Sequence, residues 1–516
     1  MNGADLLCET LLANDIDTCF ANPGTSEMHF VAALDRQPRM RCVLGLSEGV
    51  VTGAADGYAR MAGKPAATLL HLGPGLANGI ANLHNARRAA SPIVNVVGDH
   101  ATYHLALDAP LTSDIDSLAR PVSQWLGRAE QADQVGAQTA RAVAAARQRP
   151  GHVSTLILHA DAAWNETSAP VPAPVAPDAP TVPDDARIRA AAQVLKSGRN
   201  VTLIVSGAAL MAGPLDRLAR IAAATGARLM AQQSNARMQR GRGRPDIDRV
   251  PYPIDPALAT FADTEHVILI GAREPVAFFA YPGKPGRLLP EGCEVLTLTQ
   301  DGDDLAAAID ALAQETGADG ATLPDQPAGP PLDLPTGALT PEAIFVAAAR
   351  HLPENAVICD ESVSSGRESF RYTHAAAPHD FLQLTGGAIG IGMPMATGAA
   401  IACPDRKVVS LQADGSGMYT VQALWTQARE ALDVVTVIFA NRRYQILHGE
   451  LRNVGANAPG ENARRMLDLD DPALNWVSIA NGMGVEAARA ETPQQFDDLL
   501  AAACKRRGPF LIEAMI

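Results

Sequence analysis

Short runs of aliphatic and β-branched residues recur along the chain, each followed by a longer stretch rich in alanine and other small residues. In the first third the runs fall at 41–46, 66–72 and 93–97; in the middle at 201–205 and 266–270; in the last third at 357–359, 408–411 and 434–439. Apolar runs of this length without strict alternation read as strands buried on both faces. Their alternation with helical stretches predicts an α/β fold of doubly wound parallel sheets covered by helices. In such sheets ligands bind beyond the carboxyl ends of the strands, so chemistry is expected in the residues just after each run.

Prolines punctuate this pattern twice. APVPAPVAPDAPTVP places six prolines between Pro170 and Pro183, and LPDQPAGPPLDLP carries Pro324, Pro327, Pro330, Pro331 and Pro335. Such segments lack the N–H groups that a helix or central strand needs. They predict three units, 1–168, 185–322 and 338–516, and a length of 516 residues agrees at roughly 150 residues per domain.

Composition narrows the class. Apolar residues at 47% and charged residues at 19% describe a globular chain, and 56 acidic against 42 basic residues give a net charge of -14. That balance offers no electrostatic case for nucleic acid or an anionic membrane surface. The uncharged stretch from Gly386 to Cys403 is long enough to span a bilayer, but five glycines and Pro394 predict a closely packed buried segment instead. The N-terminus carries Asp5, Glu9, Asp15 and Asp17 where a secretory leader would be basic, and seven scattered cysteines form no CxxC pair. Buried, reduced thiols and a cytoplasmic location are expected. The run ARMQRGRGRP, with Arg237, Arg240, Arg242 and Arg244, reads as a solvated loop.

Two strand ends carry the strongest chemical signal. Asp414 in LQADGSGM and Asn441 in VIFANRRYQIL each follow an apolar run. A carboxylate and an amide oxygen from neighbouring strands suit an octahedral magnesium ion, and the backbone N–H groups of a Gly-Ser turn suit a phosphate. Asp-Gly alone is also a common turn dipeptide. A third feature is Glu48 in CVLGLSEGVVTGAADGYAR, a carboxyl between a strand and a small-residue helix, a place where a solvated helix-start glutamate that favours the helix dipole is also common.

The 27-residue interval from Asp414 to Asn441 (441 − 414 = 27) resembles the magnesium and diphosphate motif of thiamine diphosphate enzymes. The segment around Glu48 resembles the one whose glutamate bonds the cofactor's aminopyrimidine. Ala413 and Ala440 depart from the family's Gly and Asn. The resemblance implies that Asp414, Asn441 and the Arg443 carbonyl hold Mg²⁺, that Gly415 and Ser416 hold the diphosphate, and that Tyr444 lies against the cofactor. In TGGAIGIGMP it implies that Ile389 bends the cofactor and that the Gly387 carbonyl accepts its amino hydrogen. FANPGTSE and CDESVSSG look most like benzoylformate decarboxylase, placing Thr25 at the substrate carboxylate and Val363 and Ser364 near the diphosphate. His71, before a Gly-Pro-Gly turn, matches an active-site histidine of that enzyme.

The same turn also resembles acetolactate synthase, whose glutamine after the next strand is replaced here in VVGDHATYH, with Asp99, His100 and His104. The second histidine of benzoylformate decarboxylase falls in the aromatic stretch from Phe278 to Tyr281, and His448 is a further candidate pocket residue. The implied activity is decarboxylation of a 2-oxo acid through an enamine, ending in an aldehyde or in carboligation. The alternatives are an acetolactate synthase and a flavin-dependent oxidase. In some relatives the middle unit binds FAD, but no motif here compels it, and no GxGxxG supports a nicotinamide site. A homodimer or homotetramer with active sites at the subunit interface is also implied.

Overall fold

A computed structural model describes residues 1–323 and 332–516, so Pro324, Pro327, Pro330 and Pro331 lie outside the described residues. Three sheets form, built almost wholly of parallel strands. The first comprises β1 (Thr18–Ala21), β2 (Arg41–Leu44), β3 (Ala66–Leu70), β4 (Ile93–Asp99), β5 (Trp125–Ala129) and β6 (Val153–His159), in the order β2-β1-β3-β4-β6-β5. The second holds β7 (Val201–Val205), β8 (Arg228–Ala231), β10 (Asp248–Arg249), β11 (His266–Ile270) and β12 (Glu294–Thr297), in the order β10-β8-β7-β11-β12. The third adds β13 (Val357–Glu361), β14 (His379–Gln383), β15 (Val408–Ala413), β16 (Val434–Ala440), β17 (Glu486–Ala490) and β18 (Phe510–Met515), in the order β17-β18-β16-β15-β13-β14. Each predicted apolar run is a strand, and the central ones are buried along their whole length, as β3, β4, β7, β11 and β16 show.

One element departs from the reading of the arginine run. Met238–Arg240 is a strand, β9, that pairs antiparallel with β14 at the edge of the third sheet. Arg240 is buried there, its guanidinium 3.8 Å from the centroid of the Phe370 ring, and Arg237 bonds Asp380 at 2.7 Å. Stacking on an aromatic face lets an arginine be buried in this way. The segment therefore ties the middle of the chain to the last third. The thiols also depart from expectation in part: all seven are free, but only four are buried, Cys403 and Cys504 being half-buried and Cys42 exposed.

The helices Glu48–Ala62 and Gly392–Ala402 join the first sheet's layer to the third's. Their backbones touch: a Cβ on Gly57 would lie 2.1 Å from the Met395 carbonyl oxygen, and one on Gly398 would lie 1.8 Å from that of Ala54. This close crossing accounts for the uncharged, glycine-rich stretch that begins at Gly386. Among the described residues no helix is long and apolar enough to cross a membrane.

A buried ion pair reinforces the crossing. Arg60 Nη2 lies 2.6 Å from Asp56 Oδ2, with side-chain exposures of 1% and 0%, and Arg60 Nη1 donates to the Gln383 carbonyl at 2.7 Å. Removing one partner leaves a charge stranded in a dry interior. Arg60→Ala is expected to destabilise this interface by about 3–5 kcal/mol, read as a shift in urea unfolding.

Candidate active site

The carboxyl ends of β15 and β16 lie side by side, in a register that pairs Ala413 with Phe439. Asp414 and Asn441 follow directly, so the two sequence candidates meet. Asp414 is buried; its Oδ1 accepts from the Gly415 N–H at 2.8 Å and its Oδ2 from the Arg442 N–H at 2.6 Å. Burial outweighs these bonds and pushes the carboxyl from 3.8 up to about 6. The Asp414 carboxylate, the Asn441 amide oxygen and the Arg443 carbonyl are hard oxygen donors of the kind that fits Mg²⁺. The tight turn at 441–443 puts Arg442 in the left-handed region at φ 55°, and Asn441 Oδ1 accepts from the Arg443 N–H at 3.1 Å.

Ser416 is buried in the same turn, accepting from Gln412 Nε2 at 2.6 Å. The Tyr444 ring covers Gly415 so closely that a Cβ there would lie 2.5 Å from Cε1. Across from this turn opens a cavity of about 1370 Å³ whose wall includes Val363, Gly387, Ile389, Tyr419 and Tyr444. Gly387 has φ 81°, and a Cβ on it would lie 2.7 Å from Phe278 Cζ, so only glycine fits. Val363 also holds a positive φ of 51°, a strained conformation for a β-branched residue, and Ser364 follows it in a 3₁₀ turn.

The remaining candidates stand at the carboxyl edge of the first sheet. Glu48 opens the helix Glu48–Ala62, is buried, and accepts from Asn78 Nδ2 at 3.1 Å through Oε2. His71 directly follows β3, and its Nδ1 lies 2.7 Å from Glu27 Oε2 and 3.3 Å from Ser26 Oγ. Glu27 is buried and also accepts from the Gly24 N–H at 3.0 Å. It thereby holds the Nδ1 side of the ring and leaves Nε2 for exchange. Thr25 is exposed at the start of the 3₁₀ turn Thr25–Glu27. Glu48, His71 and Thr25 do not line the cavity that holds Gly387, Ile389 and Tyr444.

Sequence reasoning did not single out Ser26, Glu27 or Asn78, which support the predicted residues from 45, 44 and 30 positions away. Nor did it single out Glu361, a fully buried carboxyl in the cavity wall that burial pushes up to about 7. His448 is not among the residues lining the cavity; it pairs with Asp468 at 2.8 Å. His100 stacks on His104, with ring centroids 5.4 Å apart.

Two parallel-sheet layers joined at a helix crossing, each with a buried carboxyl at its carboxyl edge, Glu48 on one and Asp414 on the other, have the architecture of a cofactor-binding α/β enzyme. Residues 1–119 match the thiamine pyrophosphate enzyme N-terminal TPP binding domain, and residues 364–514 match the C-terminal TPP binding domain. The chain is 50% identical over 517 residues to the "Putative acetolactate synthase large subunit IlvX" of Mycobacterium tuberculosis, covering 100% of this chain and 99% of the relative. It is 29% identical to the benzoylformate decarboxylase of Pseudomonas aeruginosa, over 98% of this chain and 97% of that one. The thiamine diphosphate-dependent 4-hydroxybenzoylformate decarboxylase of Rhodococcus jostii RHA1 shares the fold, with a TM-score of 0.85 at 24% identity, covering 100% of this chain and 99% of that one. The chain belongs to the thiamine diphosphate-dependent superfamily of 2-oxo acid decarboxylases and acetolactate synthases. A flavin-dependent oxidase is supported by neither the matched domains nor these relatives.

Proposed function

We propose that the protein is a Mg²⁺-dependent 2-oxo acid decarboxylase whose donor carries an aryl or similarly bulky apolar side chain. The observation that carries this reading is the aromatic wall of the cavity. Phe278 presses against Gly387, meets Phe279 edge-on with ring centroids 4.9 Å apart and lies tilted against Tyr252 at 5.4 Å, and both phenylalanines remain about half exposed inside the cavity. Uncovered aromatic surface beside a polar floor is what an apolar ligand with one charged end requires.

In this reading Asp414, Asn441 and the Arg443 carbonyl hold the metal, and Gly415 and Ser416 hold the diphosphate beside Val363 and Ser364. Tyr444, Ile389 and Gly387 shape the cofactor's place. When bound, thiamine diphosphate supplies the electron sink for the charge left as carbon dioxide departs. Glu48 moves the proton that activates the cofactor: Asn78 fixes Oε2, and among the described residues Oε1 takes no hydrogen bond. Thr25 meets the substrate carboxylate, and His71 delivers or removes a proton at Nε2 with its ring held by Glu27.

The residue units 1–168, 185–322 and 338–516 serve as the pyrimidine, central and diphosphate domains. Glu48 stands apart from the Ile389 cavity within one chain. This supports a homodimer or homotetramer in which a second copy completes each site, in the cytoplasm. A second reading, joining of two 2-oxo acids, is favoured by the name of the 50% identical relative.

A panel of aliphatic and aryl 2-oxo acids, supplied with Mg²⁺ and thiamine diphosphate and analysed by mass spectrometry, separates the readings. An aryl aldehyde is expected, and a condensed hydroxy-oxo acid from pyruvate would favour the second. Phe278→Ala is expected to lower kcat/KM for the aryl donor about tenfold while changing that for pyruvate little. Equal losses for both donors would remove the aromatic wall from the explanation of specificity.

A further inference from the structure

Glu361 and Gln412 lie between the two turns assigned above to the cofactor. Glu361 Oε1 accepts from the Gly390 N–H at 2.5 Å, and its Oε2 accepts from the Gly392 N–H at 2.6 Å and from Gln412 Nε2 at 3.2 Å. The same Gln412 Nε2 donates to Ser416 Oγ at 2.6 Å. A continuous chain of hydrogen bonds therefore runs from the turn carrying Gly387 and Ile389, through a carboxylate and an amide, to the turn carrying Asp414 and Ser416.

The packing leaves no slack in this chain. Gly390 has φ 99°, and a Cβ on Gly392 would lie 2.3 Å from Gln412 Oε1 and 2.9 Å from Glu361 Cβ. Gly392 also opens the helix Gly392–Ala402, whose first N–H groups lack partners within the helix. Glu361 supplies the acceptor from another strand, with both carboxylate oxygens engaged by N–H donors. Both side chains are almost wholly buried.

We infer that Glu361 and Gln412 are positioning residues that lock the Gly387–Ile389 turn to the Asp414–Ser416 turn and so set the affinity for thiamine diphosphate. This rests on the reading of those turns as the cofactor's seat. A glutamine at 361 has only one acceptor oxygen, so its NH₂ would face the N–H of Gly390 or Gly392. A leucine at 412 keeps the bulk but removes both bonds.

The test titrates apo-protein with thiamine diphosphate at fixed Mg²⁺, with no substrate. Tryptophan emission gives the readout, because the Trp476 ring abuts Gly417 in the same turn. Glu361→Gln and Gln412→Leu are each expected to weaken cofactor binding about tenfold or more, and the KM for cofactor should rise more than kcat falls at saturation. Folded variants that bind with wild-type affinity overturn the inference, as does a drop in apo melting temperature with affinity unchanged. If Glu361→Gln does not fold, Gln412→Leu decides alone. Failure of the wild-type protein to bind thiamine diphosphate would overturn the reading of the site itself, and this inference with it.

Discussion

Glu48→Gln is expected to reduce turnover by about 10²–10⁴-fold while thiamine diphosphate and Mg²⁺ still bind. The substitution keeps the shape of the side chain and an oxygen for Asn78, which donates to Oε2 at 3.1 Å, but removes the exchangeable proton from the other end. Glu48 is distant in sequence and in sheet from Asp414, and it does not line the cavity beside Gly387 and Ile389, so metal and diphosphate contacts should be untouched. Steady-state kinetics with an aryl 2-oxo acid and a cofactor titration of the same variant provide the check. Full activity would remove Glu48 from the mechanism. Loss of cofactor binding together with activity would make it a structural residue of the helix Glu48–Ala62.

Much of this arrangement is legible in the chain because it is local. The apolar runs of β3, β4, β15 and β16 predict strands; β3, β15 and β16 are followed at once by His71, Asp414 and Asn441, and β4 ends on Asp99. The rule that ligands sit at carboxyl ends then brings the candidates to two sheet edges. What escaped the sequence is non-local. Glu27 meets His71 from 44 residues away, across neighbouring strands, and no spacing rule announces that pairing. The arginine run looks solvated because four guanidinium groups in ten residues usually are. Arg240 is instead buried by stacking on Phe370, 130 positions later. Glu361 was hidden for a different reason: it sits inside a stretch whose value was placed on Val363 and Ser364. Its role depends on N–H groups of Gly390 and Gly392 that any sequence would contain.

Asp414→Asn should abolish Mg²⁺-dependent cofactor binding, with affinity falling about 100-fold or more, because it removes the only carboxylate in the proposed metal donor set. Its effect on the protein without cofactor is separate and smaller. Burial raises the carboxyl from 3.8 to about 6 in the folded chain, so folding favours the protonated form. That stabilisation is complete below 3.8 and is lost as pH rises through 6, leaving at pH 7 a buried charge met by the Gly415 and Arg442 N–H groups. A neutral asparagine escapes the cost of a buried charge but turns its NH₂ toward one of those N–H groups, so at pH 7 the apo variant should melt close to apo wild type. The rise in melting temperature that Mg²⁺ and thiamine diphosphate give the wild type should vanish. Thermal scans with and without both ligands measure the two effects together. Mixing the Asp414→Asn and Glu48→Gln proteins under subunit exchange then tests where the sites lie. If each site takes Glu48 from one copy and Asp414 from another, half of the sites in a mixed dimer are intact and activity returns. Two inactive partners that stay inactive when mixed would place both residues in the site of a single chain.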